Sequence, residues 1–311
     1  MPSPPLIDLQ VNGCGGVNFS GSDLTPDRAA EACRTVLAGG TAAFLATVIT
    51  SPTKTYRRNL PLLASLVESE ELRGRVLGLH LEGPFISPAA GFVGAHTPEH
   101  VLAPDPDLLA LMQEWARGTI RLLTLAAEMP GAEALARRAR ELGMAVSIGH
   151  SDFAPADLAR LADAGATAIT HLGNGLPLVM PRHDNPLFAG LAEDRLTALL
   201  IPDGHHLPAP VLKTALRAKG IARTIFVSDA CSLAGCVPGR YETFGRPVEL
   251  ETTGRVRDIE RGCLAGAGML LPEALRRFAT LGLLTADELA EVTCHNPLRL
   301  IGMTVQDVRL P

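Results

Sequence analysis

Residues 78–87, GLHLEGPFIS, stay apolar up to Glu82 and then turn at Gly83-Pro84. A carboxylate that ends an apolar run needs a counter-charge, because an isolated buried acid is costly. The habit recurs along the chain. One run ends with Asp8, Gln10 and Asn12, another with His150 in IGHS, another with His171 in ITHLG. Later runs end with Asp203 and His205-His206, and with Asp229 in SDA. One carboxylate and two imidazoles form a full protein ligand set for an open, catalytic metal site. Glu82, His150 and His171 make that set, which suits one borderline divalent ion, zinc first and ferrous iron second. Such an ion lowers the pKa of its water toward ~7, so hydroxide is available near neutrality. Asp229 is then placed to take the proton of that water and hand it to a leaving amine. Taken singly, each residue has a plainer reading as an ion-pair partner, a cap or a packed ring. Their joint placement at the ends of apolar runs is what favours the metal.

Residues so distant in sequence meet only if the elements behind them are arranged to deliver them. Short apolar, β-branched runs cover 6–13, 40–50, 75–83, 119–128, 144–151, 166–174, 196–206 and 223–230. Helical spacing covers 26–40, 131–143, 154–166, 207–220, 271–282 and 285–297, with prolines near starts and glycines near ends. Strands alternating with helices imply a parallel sheet covered on both faces. Eight such units predict an α/β fold, a (β/α)8 TIM-like barrel, in which all strand ends open on one face. A doubly wound open sheet is the competing arrangement. Residues 84–118 read as a long loop, and 238–264 as a β-hairpin inserted after the eighth strand. The whole of 1–311 reads as one catalytic domain.

Composition bounds the function. The chain has 311 residues, 47% hydrophobic and 20% charged, with a net charge of −5. That is a globular composition without the basic face of a nucleic-acid binder. The six cysteines form no CxxC pair and read as reduced thiols. No run reaches the ~18 apolar residues of a membrane span, and the first residues lack a basic leader, so a cytoplasmic location is expected. GCGG (13–16) and LAGAG (264–268) complete no dinucleotide fingerprint. His80 reads as an interior histidine. His100 and His295 read as solvated or structural, Glu128 has no assigned role, and one of His205 and His206 is expected to reach a substrate.

Taken in order, IDLQVNGCGGVNF, LEGPFI, GAH, IGHSD, THLGNGLP, PDGHH, SDA, LAGAGM and HNPLRLIGM resemble the N-acetylglucosamine-6-phosphate deacetylases of the amidohydrolase superfamily. The matching stretches run from residue 7 to residue 303. The resemblance implies a deformed barrel, a metal on Glu82, His150 and His171, and Asp229 as acid and base. It implies hydrolysis of an N-acetyl amide, turning N-acetylglucosamine-6-phosphate into glucosamine-6-phosphate and acetate. It implies substrate contacts from His96, His206 and the backbone of Asn174 and Gly175. Gln10 and Asn12 stand where many superfamily members carry HxH, so one metal is expected rather than two. The family's phosphate arginine falls on Asp184, with Arg182 and His183 as nearby substitutes. Few residues precede the first strand or follow His295, so the family's small β-sandwich is expected to be missing. A homodimer is compatible with the family pattern. Two other readings stay open: the same chemistry on a non-phosphorylated N-acyl amino sugar or small amide, and a barrel that binds sugar without turning it over.

Overall fold

Eight short strands form one parallel sheet: β1 (Ile7–Val11), β2 (Ala43–Ile49), β3 (Val76–Glu82), β4 (Ile120–Leu125), β5 (Ala145–Ile148), β6 (Ala168–Ile169), β7 (Thr197–Leu200) and β8 (Thr224–Phe226). They neighbour one another in chain order. The sheet curls until Val11 bridges Ala230, so its first and last strands meet at one end. This is a computed structural model, and it describes residues 4–243 and 245–310.

A helix follows each strand: α1 (Pro26–Ala38), α2 (Thr53–Glu68), α3 (Pro106–Trp115), α4 (Ala132–Glu141), α5 (Pro155–Asp163), α6 (Pro186–Ala192), α7 (Ala209–Lys219) and α8 (Leu271–Ala279). The arrangement is the α/β barrel predicted from the alternating pattern, and it excludes the doubly wound sheet.

Strand side chains alternate between two faces. Phe44, Ala46 and Val48 join the large cluster between strands and helices. Ala43 and Leu45, one step out of phase, join Leu77, Leu122, Ala145, Ala168, Leu199 and Ile225 in a second cluster inside the barrel. Leu298, Ile301 and Val308 from the C-terminal segment pack onto that inner cluster. Above it lies a layer of hydroxyls. His80 meets Thr124 at 2.8 Å, Thr124 meets Thr170 at 2.7 Å, and Thr170 meets Ser147 at 2.6 Å. Burial drives His80 down to about 4, so it sits neutral in this belt, an interior histidine as expected. The layers thus run from apolar to hydroxyl to, at the mouth, ionisable.

Two segments differ from the sequence reading. The expected loop 84–118 contains α3. Asp105 caps it by accepting the N–H of Asp107 and Leu108, Pro106 opens it, and Leu109 and Met112 bury one face. The Pro and Gly residues upstream of 105 masked that start. The region 238–264 belongs to a four-stranded antiparallel sheet of β9 (Gly239–Thr243), β10 (Arg246–Leu250), β11 (Arg255–Asp258) and β12 (Leu264–Ala267). Phe244 lies outside the described residues. Among the described residues no helix is long and apolar enough to cross a membrane.

Candidate active site

Glu82 is the last residue of β3 and points, with His80, to the barrel interior, because side chains two apart share a face. Gly83 follows, and nothing larger fits: a Cβ there would stand 2.2 Å from Thr50 Oγ1, on a backbone of φ +90°. His150 and His171 come just after β5 and β6. Both adopt left-handed backbone, at φ 50° and 30°, as does Asp229 after β8, at φ 52°. Such conformations are strained for non-glycine residues and cluster where function demands them.

The geometry is close. His171 Nε2 lies 2.8 Å from Glu82 Oε1 and 3.0 Å from His150 Nε2, and His150 Nε2 lies 3.4 Å from Glu82 Oε1. Each residue offers one ligand atom, all within 4.8 Å of one another, and all three are buried. Two imidazole nitrogens and a carboxylate oxygen crowded together suit a shared cation. His150 shows the fit best. Its Nδ1 lies 2.8 Å from the Phe92 carbonyl, a bond only an Nδ1–H can donate, which leaves the Nε2 lone pair facing the site. The Nδ1 of His171 is buried without a partner.

Burial works to raise the Glu82 carboxyl, but the hydrogen bonds and charge of His150 and His171 overcome it and hold it well below the carboxylate range. Burial works to lower His171, and Glu82 reverses that. For Asp229, burial and then the Glu82 charge push it up to about 6. Gln10 joins the two acids: its Nε2 donates to Glu82 Oε1 at 2.9 Å and to Asp229 Oδ1 at 3.0 Å. Asn12 adds a 2.8 Å bond to the same Asp229 oxygen. Gln10 therefore acts as an amide donor between the two carboxylates, and Asn12 as a second donor to Asp229.

Two histidines flank the cluster. His96 sits with its ring centroid 4.3 Å from that of His150 and its Nδ1 2.9 Å from Thr50 Oγ1. Burial, then the charge of His150, holds it well below the usual imidazole range. His206 is oriented by Asp203, whose Oδ2 lies 2.7 Å from His206 Nδ1 and whose Oδ1 accepts the N–H of both His205 and His206. Burial opposes ionisation of Asp203, and its bond to His206 overrides that. His205 turns away, to the Thr253 carbonyl at 2.9 Å.

All of this surrounds one cavity of about 350 Å³. Its lining includes Glu82, His96, His150, His171, Asn174, Gly175, His206 and Asp229. Arg182, His183 and Asp184 are exposed and lie outside that lining. Sequence reasoning missed the Asp203–His206 pair, although the D-x-x-H spacing in PDGHH signals it. It also missed Arg255 and Cys263, which the β9–β12 sheet brings to the cavity and which carry no local signal. Glu128 anchors the loop after β5, accepting from the Ser151 hydroxyl and the Asp152 N–H.

A barrel whose C-terminal mouth gathers a carboxylate, two histidines and a further aspartate defines a metal-dependent amidohydrolase, holding a divalent ion. No protein-family model matches the chain. Over 308 residues it is 31% identical to the N-acetylglucosamine-6-phosphate deacetylase of Bacillus subtilis, covering 96% of this chain and 75% of that one. It is 30% identical to the N-acetylgalactosamine-6-phosphate deacetylase of Escherichia coli O157:H7, covering 96% and 78%. Among solved structures it matches an aspartate-to-alanine variant of the Mycobacterium smegmatis N-acetyl-D-glucosamine-6-phosphate deacetylase in complex with N-acetyl-D-glucosamine-6-phosphate. The TM-score is 0.87 at 28% identity, over 97% of this chain and 78% of that one. The chain belongs to the N-acetylglucosamine-6-phosphate deacetylase family.

Proposed function

We propose that the chain hydrolyses the N-acetyl amide of N-acetylglucosamine-6-phosphate, releasing acetate and glucosamine-6-phosphate. The convergence of Glu82, His150 and His171 beside Asp229 carries this reading. The three would hold one zinc ion, which when bound supplies Lewis acidity toward the amide carbonyl and the hydrolytic water. Asp229 takes one proton from that water as its oxygen attacks the acyl carbon. It then gives the proton to the sugar nitrogen as the C–N bond breaks, so acetate and amine leave in balance. Gln10 and Asn12 hold Asp229 in place for both transfers. His206, fixed by Asp203, and neutral His96 contact the sugar and its amide. Asn174 and Gly175 offer backbone to the sugar phosphate.

The relatives' names carry a 6-phosphate on the sugar, which disfavours the non-phosphorylated alternative. The retained Asp229 disfavours a barrel that only binds. The galacto epimer is a second reading, supported by the Escherichia coli relative. Acetate release from both 6-phosphates by the zinc-loaded chain tests the proposal; no release from either rejects it.

A further inference from the structure

The cavity has to meet a charge that its floor cannot. If the substrate is a sugar 6-phosphate, as proposed above, it brings a net charge of about −1.5 to −2. Glu82 and Asp229 on the floor are assigned to the metal and the hydrolytic water, and as carboxylates they offer a phosphate no counter-charge. Among the described residues that line the cavity, Arg255 is the one arginine or lysine.

Its setting leaves it free to bind. Arg255 opens β11, beside the turn at Thr253-Gly254. Its guanidinium is paired only loosely, with Glu251 Oε1 at 3.8 Å, and both side chains are more than a third solvent-exposed or nearly so, at 43% and 34%. Such a pair is weak and readily exchanged. By contrast Arg257, two residues on, is held by Glu249 at 2.9 Å. Behind the same turn stands a second guanidinium. Arg277 Nη1 lies 2.8 Å from His205 Nε2, and its Nη2 lies 3.8 Å from where a Cβ on Gly254 would stand. The neighbour of His205 is His206, which lines the cavity. Each guanidinium has a glutamate near it, Glu251 for Arg255 and Glu273 at 3.9 Å for Arg277, and both pairs are long and exposed, so a phosphate can exchange for the carboxylate at this rim.

We infer that Arg255 binds the phosphate of the substrate and sets the preference for a phosphorylated sugar. A guanidinium fork matches two phosphate oxygens at once, which an ammonium cannot.

The test compares N-acetylglucosamine-6-phosphate with N-acetylglucosamine for the zinc-loaded full chain and for Arg255→Gln, Arg255→Lys and Arg182→Gln. Arg255→Gln is expected to raise KM for the phosphorylated sugar by ~10- to 100-fold, the loss of a charge-assisted pair. It leaves kcat/KM for the plain sugar unchanged, weakens inhibition by inorganic phosphate, and is partly rescued by Arg255→Lys. A preference that survives in Arg255→Gln, a loss shared by both sugars, or a preference lost in Arg182→Gln instead, overturns the inference alone. A wild-type chain with no preference for the phosphorylated sugar overturns the inference as well, whereas a wild-type chain that releases no acetate from the 6-phosphate overturns the proposed function.

Discussion

Asp229 receives two side-chain hydrogen bonds on one oxygen, from Gln10 and Asn12, so its second oxygen is the one left to accept a proton. With its carboxyl pushed up to about 6, it is ionised at neutral pH yet basic enough to work. Asp229→Asn keeps a carbonyl oxygen for both amides and removes only the basicity. We expect kcat to fall by ~10²- to 10⁴-fold, with zinc content and KM preserved. Steady-state kinetics and metal analysis check this, and an unchanged kcat sinks the assigned role. In the wild type kcat/KM should fall as pH drops below about 6, because a protonated Asp229 cannot act as a base. Much at this scale was legible in the sequence, because an acid and two imidazoles fall together at the ends of apolar runs, although each alone has a plainer structural use. The left-handed backbones of His150, His171 and Asp229 were not: His and Asp enter that region more often than other non-glycine residues, yet too seldom for residue type to signal it.

At the scale of elements, the β9–β12 sheet does more than roof the mouth. Arg246 donates to the carbonyls of Ala95 and His96 at 3.4 and 3.3 Å and pairs with buried Asp258 at 3.1 Å. Arg261 donates to the carbonyls of Gly94 and His96 at 2.8 and 3.2 Å. The sheet thus clamps the backbone of the His96 loop through two arginines. Arg246→Ala releases that loop and leaves Asp258 without its cation. We expect a stability loss on the order of 2–4 kcal/mol and faster proteolysis within 237–263. Arg246→Lys should restore stability only in part, because a point charge cannot bridge a carboxylate and two carbonyls. Denaturant midpoints and limited proteolysis decide it, and an alanine variant as stable as wild type refutes the clamp. The eight barrel strands were legible because runs such as AFLATVI pack both faces against side chains and so stay apolar throughout. Helix α3 was not, because its capped start follows a stretch dense in Pro and Gly. The four-strand count of the mouth sheet was not either, because β9 is exposed at most positions and β11 offers a single apolar residue, Val256, among charged ones.

At the scale of the molecule, the barrel closes along one seam, where β1 meets the residues after β8. Asp8 is the keystone of that seam. Its Oδ1 accepts the N–H of Gln10 at 3.2 Å and of Ser228 at 3.1 Å, while its Oδ2 is buried with no partner. Ser228 immediately precedes Asp229, so the seam also sets the position of the base. Burial is the main cause that raises the Asp8 carboxyl from 3.8 to about 7. The folded chain therefore binds a proton that the unfolded chain releases between those values. Stability from this group is full below pH 4, declines as pH rises to about 7 and is level above it. The ceiling of the effect is on the order of 4 kcal/mol. Asp8→Asn imitates the protonated acid: it keeps the oxygen that Gln10 and Ser228 need and has no charge to bury. The variant should match wild type below pH 4 and exceed it in stability near pH 8, as read from denaturant midpoints at the two pH values. Parallel curves across that range would mean that Asp8 stays ionised within the fold, and that another cation neutralises the seam.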